Sequence, residues 1–516
     1  MDNKEMATTK ADADSVGPSE QFANEKGAVT VSEGADQALA FTQGETVTYD
    51  EATNVRVRRK IDRHLIPWMF FTFMVQYFDK TLLSYASVMG LIQDTNLTSG
   101  QYAWCGSIFY FGYLVFVYPH NRLMQRLPLA RYLSSVVFIW GVVLGLNAAC
   151  NNFAGLMVGR FVLGALEGAV TAGFVLITAR WYSRDEHATR TAFWYIGNAV
   201  AQVGGAAFAY GIAAGFLGND SITFAGWRVL FILSGGLTCI FGIFMFIYFP
   251  ESPLTAKWLD DFERRVAIER LRVNQQGIGS KVFKWPQFRE AFTDPRTWLC
   301  CLFCIFWLIP SGGLTTFFAL LIQGYGFDAK TTLLLSMPSG LTQVITNLGF
   351  PYLAGKFKNR MLAASLAVLL SVFSIALMTG LSSHGPTAYR YGQLVAYYII
   401  LGNSPSPLIL ILSVVSTNAA GYTKKTTVNA MVLIAYCVGF LIGPQTFRDP
   451  PYYTKAKYTI LGVYLASLVC ILGLWWINWR ENKKRDREAA DLPPQPAGQE
   501  FADLTDKENK YFRYAL

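Results

Sequence analysis

The sequence predicts an all-α polytopic membrane protein with twelve transmembrane helices in two six-helix bundles. Three observations lead there. The chain is 52% hydrophobic and only 15% charged, against about 25% charged in soluble proteins. Apolar runs long enough to cross a bilayer recur along it. A hydrophilic, basic segment at 250–296 divides those runs six and six.

The elements follow in order. Residues 1–60 are small and polar and cannot bury enough surface to fold alone, which predicts a disordered tail. The tail carries no cleavable signal, so the first membrane helix would direct insertion. It turns basic at Arg56, Arg58, Arg59 and Lys60, directly before the first apolar run. Runs near 64–92, 102–122, 131–150, 153–181, 189–216 and 227–249 make a first bundle within 61–249. Runs near 297–325, 330–354, 361–382, 389–418, 426–447 and 457–479 make a second within 297–480. In the segment between them, Trp258, Leu259, Phe262, Val266 and Leu271 recur at helical steps among charges, which predicts an amphipathic helix at the membrane surface or against the halves. The charged stretch 481–516, with Pro493 and Pro494, reads as a second disordered tail.

Basic residues orient the chain. Arg122, Arg126 and Arg131, then Arg180, Arg184 and Arg190, then Lys356, Lys358 and Arg360, then Lys424 and Lys425 fall on the side of both tails. That side is expected to be cytoplasmic. The net charge of +9 therefore marks a membrane face rather than a nucleic-acid partner. Two Asn-x-Ser/Thr sequons, at Asn96 and Asn219, fall in turns on the opposite side and are candidate glycosylation sites. The eight cysteines lie in or beside apolar runs without metal-ligand spacing, so neither a disulfide framework nor a metal site is expected.

The chemistry concentrates in charges at bilayer depth. Arg160 and Glu167 lie inside the fourth run, seven residues apart, hence on one helical face and about 10 Å apart along the axis. Gly164 and Gly168 continue that face and admit a neighbouring helix, which the topology suggests is the first, carrying Asp79 and Lys80. Lys80 or Arg160 could hold an anionic substrate, Arg160 through a planar bidentate fork. Asp79 or Glu167 could carry a coupling proton, because burial favours the neutral carboxyl. Structural ion pairing of the same four residues is the alternative. Asn198, Gln202, Gln343, Asn347, Asn403 and Asn429 are further cavity candidates, each of which could equally make an interhelical hydrogen bond. Pro310 to Gly313 and Asn403 to Pro407 are expected to break helices seven and ten. Pro119 and Pro351 are expected to end the second helix of each half, a faint internal repeat.

Six plus six helices with basic 2–3 and 8–9 turns resemble the major facilitator superfamily. Arg160-x-x-x-Gly164-x-x-x-Gly168 is similar to that family's fourth-helix motif. Tyr77-Phe78-Asp79-Lys80-Thr81, Pro250-Glu251-Ser252-Pro253, Ile309-Pro310-Ser311-Gly312-Gly313 and Gly421-Tyr422-Thr423-Lys424-Lys425 resemble elements of its anion:cation symporter branch, in particular fungal allantoate-permease-like transporters, over about residues 55–485. The turn after Pro119 departs from the superfamily's Gly-x-x-x-Asp start. The resemblance implies proton-coupled import of a small organic anion, such as allantoate, nicotinate or another ureide- or vitamin-type carboxylate, across the plasma membrane; a monomer without a cofactor is expected. An exporter of the same fold and a non-transporting nutrient receptor are the alternatives. No nucleophile elbow, zinc-protease motif or phosphate loop occurs, so neither an enzyme nor an ATP-driven pump is expected.

Overall fold

The computed structural model describes residues 49–216, 224–275, 283–385, 387–488 and 503–516. Among them no strand occurs. The first half comprises α1 (Glu51–Ala86), α2 (Ser99–Arg126), α3 (Leu129–Leu146), α4 (Phe153–Trp181), α5 (Arg184–Tyr195), α6 (Gly197–Phe216) and α7 (Gly226–Tyr248). Between the halves lie α8 (Asp261–Gln275) and α9 (Trp285–Thr293). The second half comprises α10 (Pro295–Gln323), α11 (Ala329–Leu335), α12 (Pro338–Phe357), α13 (Arg360–Ser382), α14 (Arg390–Asn403), α15 (Pro405–Asn418), α16 (Tyr422–Ile442) and α17 (Thr454–Glu488).

Local chemistry sets many of these limits. Asp50, Asn152, Asp294, Asp328 and Asn359 cap helix starts through their side chains, and Thr98 and Gln101 form a reciprocal capping box on α2. Among the described residues, nine candidate spans are long and apolar enough to cross a membrane. The expected runs at 64–92, 102–122 and 330–354 also form helices but fall outside those nine. They are less apolar for visible reasons: α1 carries Gln76, Asp79 and Lys80, α2 four tyrosines, and α12 two threonines and Asn347.

The ends of α1 and α17 that lead to the tails mark one face of the molecule, here the terminal face, and the opposite side is the distal face. In the first half α2 packs on α4, α3 on α7 and α1 on α6; in the second α10 packs on α16 and α17. The halves meet towards the distal face. There Tyr102 donates to the Thr316 carbonyl at 2.8 Å, the Ala319 N–H donates to Ser84 Oγ at 3.0 Å, and Ser107 donates to the Leu441 carbonyl at 2.7 Å. Tyr110 stacks on Phe440 at 4.4 Å.

Several expectations are corrected. Pro119 and Pro351 lie inside α2 and α12 rather than ending them, and Pro310 lies within a continuous α10. A proline removes one hydrogen bond, and packed neighbours can satisfy the freed group. The Asn403–Pro405 break is present, between α14 and α15, and the Ser404 carbonyl accepts the Trp307 indole N–H at 2.7 Å. The linker forms two helices, and each docks on a different half. Towards the first half, Lys60 meets Glu263 at 2.5 Å, Arg270 meets Glu186 at 2.7 Å, and Trp258 stacks on His64 at 4.1 Å. Leu259 and Val266 are buried, and Phe262 is exposed. Towards the second half, Gln287 accepts from the Thr423 N–H at 3.1 Å, and Glu290 meets Lys424 at 2.8 Å. The stretch 481–516, expected to be disordered, is in part ordered: α17 runs on to Glu488, and residues 503–516 pack back on the second half. Long-range polar pairs hold it, and these leave no local pattern in the sequence.

Candidate functional site

The fourth membrane helix of the sequence is α4, and its face carrying Arg160, Gly164, Glu167 and Gly168 is turned inward. A Cβ on Gly164 would overlap the Phe109 carbonyl oxygen, and one on Gly112 would overlap the Phe161 carbonyl. The close neighbour is therefore α2, not α1 as the sequence suggested. Only glycine permits this backbone approach.

α1 reaches the same site from another side. Asp79 and Lys80 are adjacent, so their side chains diverge by about 100° on a helix. The indole N–H of Trp140 on α3 donates to Asp79 Oδ2. Lys80 Nζ lies 3.6 Å from Glu167 Oε2. Gln76 Nε2 donates to the Glu167 backbone carbonyl at 3.2 Å and ties α1 to α4. The Phe109 ring lies beneath both cations, 5.9 Å from Lys80 Nζ and 5.2 Å from Arg160 Cζ. Asp79, Arg160 and Glu167 are 1%, 4% and 0% exposed.

The quartet carries two positive and two negative formal charges, so its net charge is balanced. Its hydrogen-bonding capacity is not used up. Among the described residues Asp79 Oδ1, Arg160 Nε and Nη1, and both Glu167 carboxylate oxygens have no hydrogen-bond partner. Buried polar atoms of this kind are costly unless something else meets them. A carboxylate matches the free edge of Arg160, and a proton matches Glu167.

The neutral candidates separate into groups. Asn198 and Gln202 are buried on α6, and among the described residues the Gln202 amide has no hydrogen-bond partner. A Cβ on Gly340 of α12 would lie 3.3 Å from Gln202 Cβ, which places Gln202 at the seam between the halves. Gln343 is buried one turn further along α12. Asn347 accepts from Ser406 Oγ at 3.0 Å. Asn403 donates to the Ala367 carbonyl at 2.6 Å and to Ser371 Oγ at 2.8 Å, a clamp between α14 and α13. Asn429 is exposed near the start of α16. His120 lies buried inside α2, with its ring nitrogens bonded to Tyr132 Oη at 2.5 Å and the Ala165 carbonyl at 2.6 Å. Asn96 is exposed between α1 and α2 with a left-handed φ of 51°. Asn219 lies outside the described residues.

Sequence reasoning missed Trp140 and Phe109. A fully buried tryptophan needs an acceptor for its N–H, so Trp140 in the middle of an apolar run was the one available signal. Nothing marked Phe109 among its aromatic neighbours.

Known proteins resemble this chain over most of its length. A family model described as Major Facilitator Superfamily matches residues 69–444. The Schizosaccharomyces pombe protein named uncharacterized transporter C417.10 is 40% identical over 485 residues, 92% of this chain and 93% of its own length. The allantoate permease of Saccharomyces cerevisiae is 34% identical over 509 residues, covering 95% of this chain and 91% of the permease. Among solved structures, the xylose transporter XylE from E. coli in its inward-open conformation superposes with a TM-score of 0.60 at 13% identity, covering 86% of this chain and 98% of XylE.

Proposed function

Since this chain belongs to the major facilitator superfamily, and is thus a multi-pass secondary transporter and not an enzyme, we propose that it imports a small organic anion together with a proton. The observation that carries this reading is the buried quartet, whose Arg160 guanidinium has, among the described residues, two nitrogens without hydrogen-bond partners beside a carboxylate pair at membrane depth. Arg160 grips a substrate carboxylate with its planar fork, and the Phe109 ring supports the guanidinium from below. Glu167 exchanges the proton. While ionised it holds Lys80; once protonated it releases Lys80, which then serves the incoming anion. Trp140 keeps Asp79 oriented as the remaining counter-charge. Gln202 and Gln343, at the seam between the halves, contact the part of the substrate that distinguishes one acid from another. The allantoate permease likeness favours a ureide- or vitamin-type carboxylate.

In this reading both tails are cytoplasmic and the membrane is the plasma membrane. The contacts at the distal face then close the outer side, and the quartet is read as facing inward. Asn96 is exposed on the outer side and available for glycosylation. The protein acts as a monomer, with no cofactor beyond the coupling proton.

Reconstituted vesicles test the proposal. An acid-outside gradient should drive accumulation of at least one labelled acid from a panel of carboxylates and ureides, and collapsing the gradient should abolish it. Failure of every candidate acid to accumulate overturns the symporter reading, and net efflux under the same gradient would favour an exporter.

A further inference from the structure

Residues 503–516 contribute no helix to the bundle, yet Thr505, Asp506 and Tyr514 are 0%, 1% and 3% exposed. Contacts along its length hold the segment, among them an ion pair of Lys284 with Asp503 at 2.8 Å and a bond from the Arg360 N–H to the Leu516 carbonyl at 2.7 Å, together with three further anchors. Asp506 Oδ1 lies 2.6 Å from Lys424 Nζ, and the same ammonium meets Glu290 of α9 at 2.8 Å and Asp294, the cap of α10, at 2.9 Å. Arg485 at the end of α17 donates to the carbonyls of Asp506, Asn509 and Phe512 at 2.9, 3.2 and 2.8 Å. Asn418 on α15 exchanges two hydrogen bonds with Ala515, at 3.0 and 2.7 Å. Beneath the segment lies a cavity of about 30 Å³ whose lining includes Arg296, Cys300, Lys424 and Asn478. Among the described residues Asn478 Nδ2, at its wall, has no hydrogen-bond partner.

We propose that residues 503–516 form a releasable strap that locks α9 and the terminal-face ends of α10, α15, α16 and α17 into one rigid unit, and that its release slows transport. Two features carry the inference. First, the strap is short and held by side-chain bonds rather than by a continuous helix, so it can open locally without unfolding the bundle. Second, α9 leads into α10 through the single residue Asp294, and α10 reaches the first half at its far end through Thr316 and Ala319. α10 is thus a lever, fastened by the strap at one end and engaged with the other half at the other. A loosened fastening weakens what the lever transmits when the halves rock. The quartet lies in the first half, so substrate affinity should hardly change. The effect on rate rests on the transporter reading; the strap itself does not.

Cys300 supplies the test. The full chain is prepared with Cys300 as its sole cysteine, and labelling by a membrane-permeant maleimide is timed. Arg485→Ala and Asp506→Asn should each raise the labelling rate roughly tenfold or more. They should lower the maximal uptake rate about threefold or more, with KM held within about twofold. Asn418→Ala, which leaves no buried charge unpaired, repeats the measurement should either variant fail to fold. Unchanged labelling in the folded variants overturns the strap. Faster labelling with an unchanged uptake rate overturns its control of transport. Labelling needs no substrate, so it is read even if no acid proves to be carried.

Discussion

Arg160 and Glu167 sit where a charge costs roughly 2.5–3.5 kcal/mol on insertion scales, and one helical face carries both. Arg160→Lys replaces a fork with a point charge and should raise KM for the carried acid about tenfold or more. Near-parental KM in uptake assays would show that Arg160 does not grip the substrate. Glu167→Gln should leave the protein folded and flatten the dependence of uptake on external pH. An unaltered pH profile would make Glu167 a structural partner of Lys80. These four charges were legible in the sequence because ionisable residues are rare in membrane helices. What they touch was not. Trp140 and Asp79 are bonded across α3 and α1, far apart in the chain, and no spacing rule joins them.

At the level of helices, the sequence marked which face of α4 was narrow and left open what it would meet. Small residues at four-residue steps indicate that something comes close, and only the packed structure identifies α2. Gly164→Val should therefore be costly. Its side chain would strike the backbone of Phe109, which cannot move aside as a flexible side chain can. Overpacking of this kind destabilises by about 1–3 kcal/mol or more, and thermal unfolding in detergent should show a lowered midpoint. Gly236→Ala is the contrasting case, since an added Cβ there meets nothing within 4 Å. That variant should gain about 0.8–1.0 kcal/mol of helix propensity and unfold at or above the parental temperature. The prolines give a similar lesson. Pro119, Pro310 and Pro351 looked like helix boundaries, yet surrounding helices keep each within a continuous element.

For the molecule as a whole, composition and the recurrence of apolar runs revealed the membrane class and the all-α fold. The ordered segment 503–516 was hidden. Its partners, at residues 360, 418, 424 and 485, share no periodicity with it. Electrostatics at this end also sets a pH response. Burial pushes the Asp294 carboxyl up, but Lys424, with help from Lys507 and Arg296, outweighs that and holds it below its ordinary value of 3.8. A carboxylate depressed in the folded state contributes stability above its unfolded value and loses it as pH falls through the lowered one. Measured relative to a freely exposed thiol at each pH, because maleimide reacts with the thiolate, Cys300 labelling should accordingly stay flat between about pH 5 and 7.5 and accelerate only in stronger acid. A rise already near pH 6 would contradict the assignment of Asp294 as a persistent anion.

The two linker helices have a consequence for how the gene could be divided. α8 and the turn before it are fastened to the first half through Glu263, Arg270 and Trp258, and α9 to the second through Gln287 and Glu290. Each half thus keeps its own piece of linker. In assembly terms the protein resembles a heterodimer whose subunits happen to share one peptide chain. Two polypeptides divided between α8 and α9 would each carry their own fastenings, and co-expression would leave the contacts between the halves for them to find.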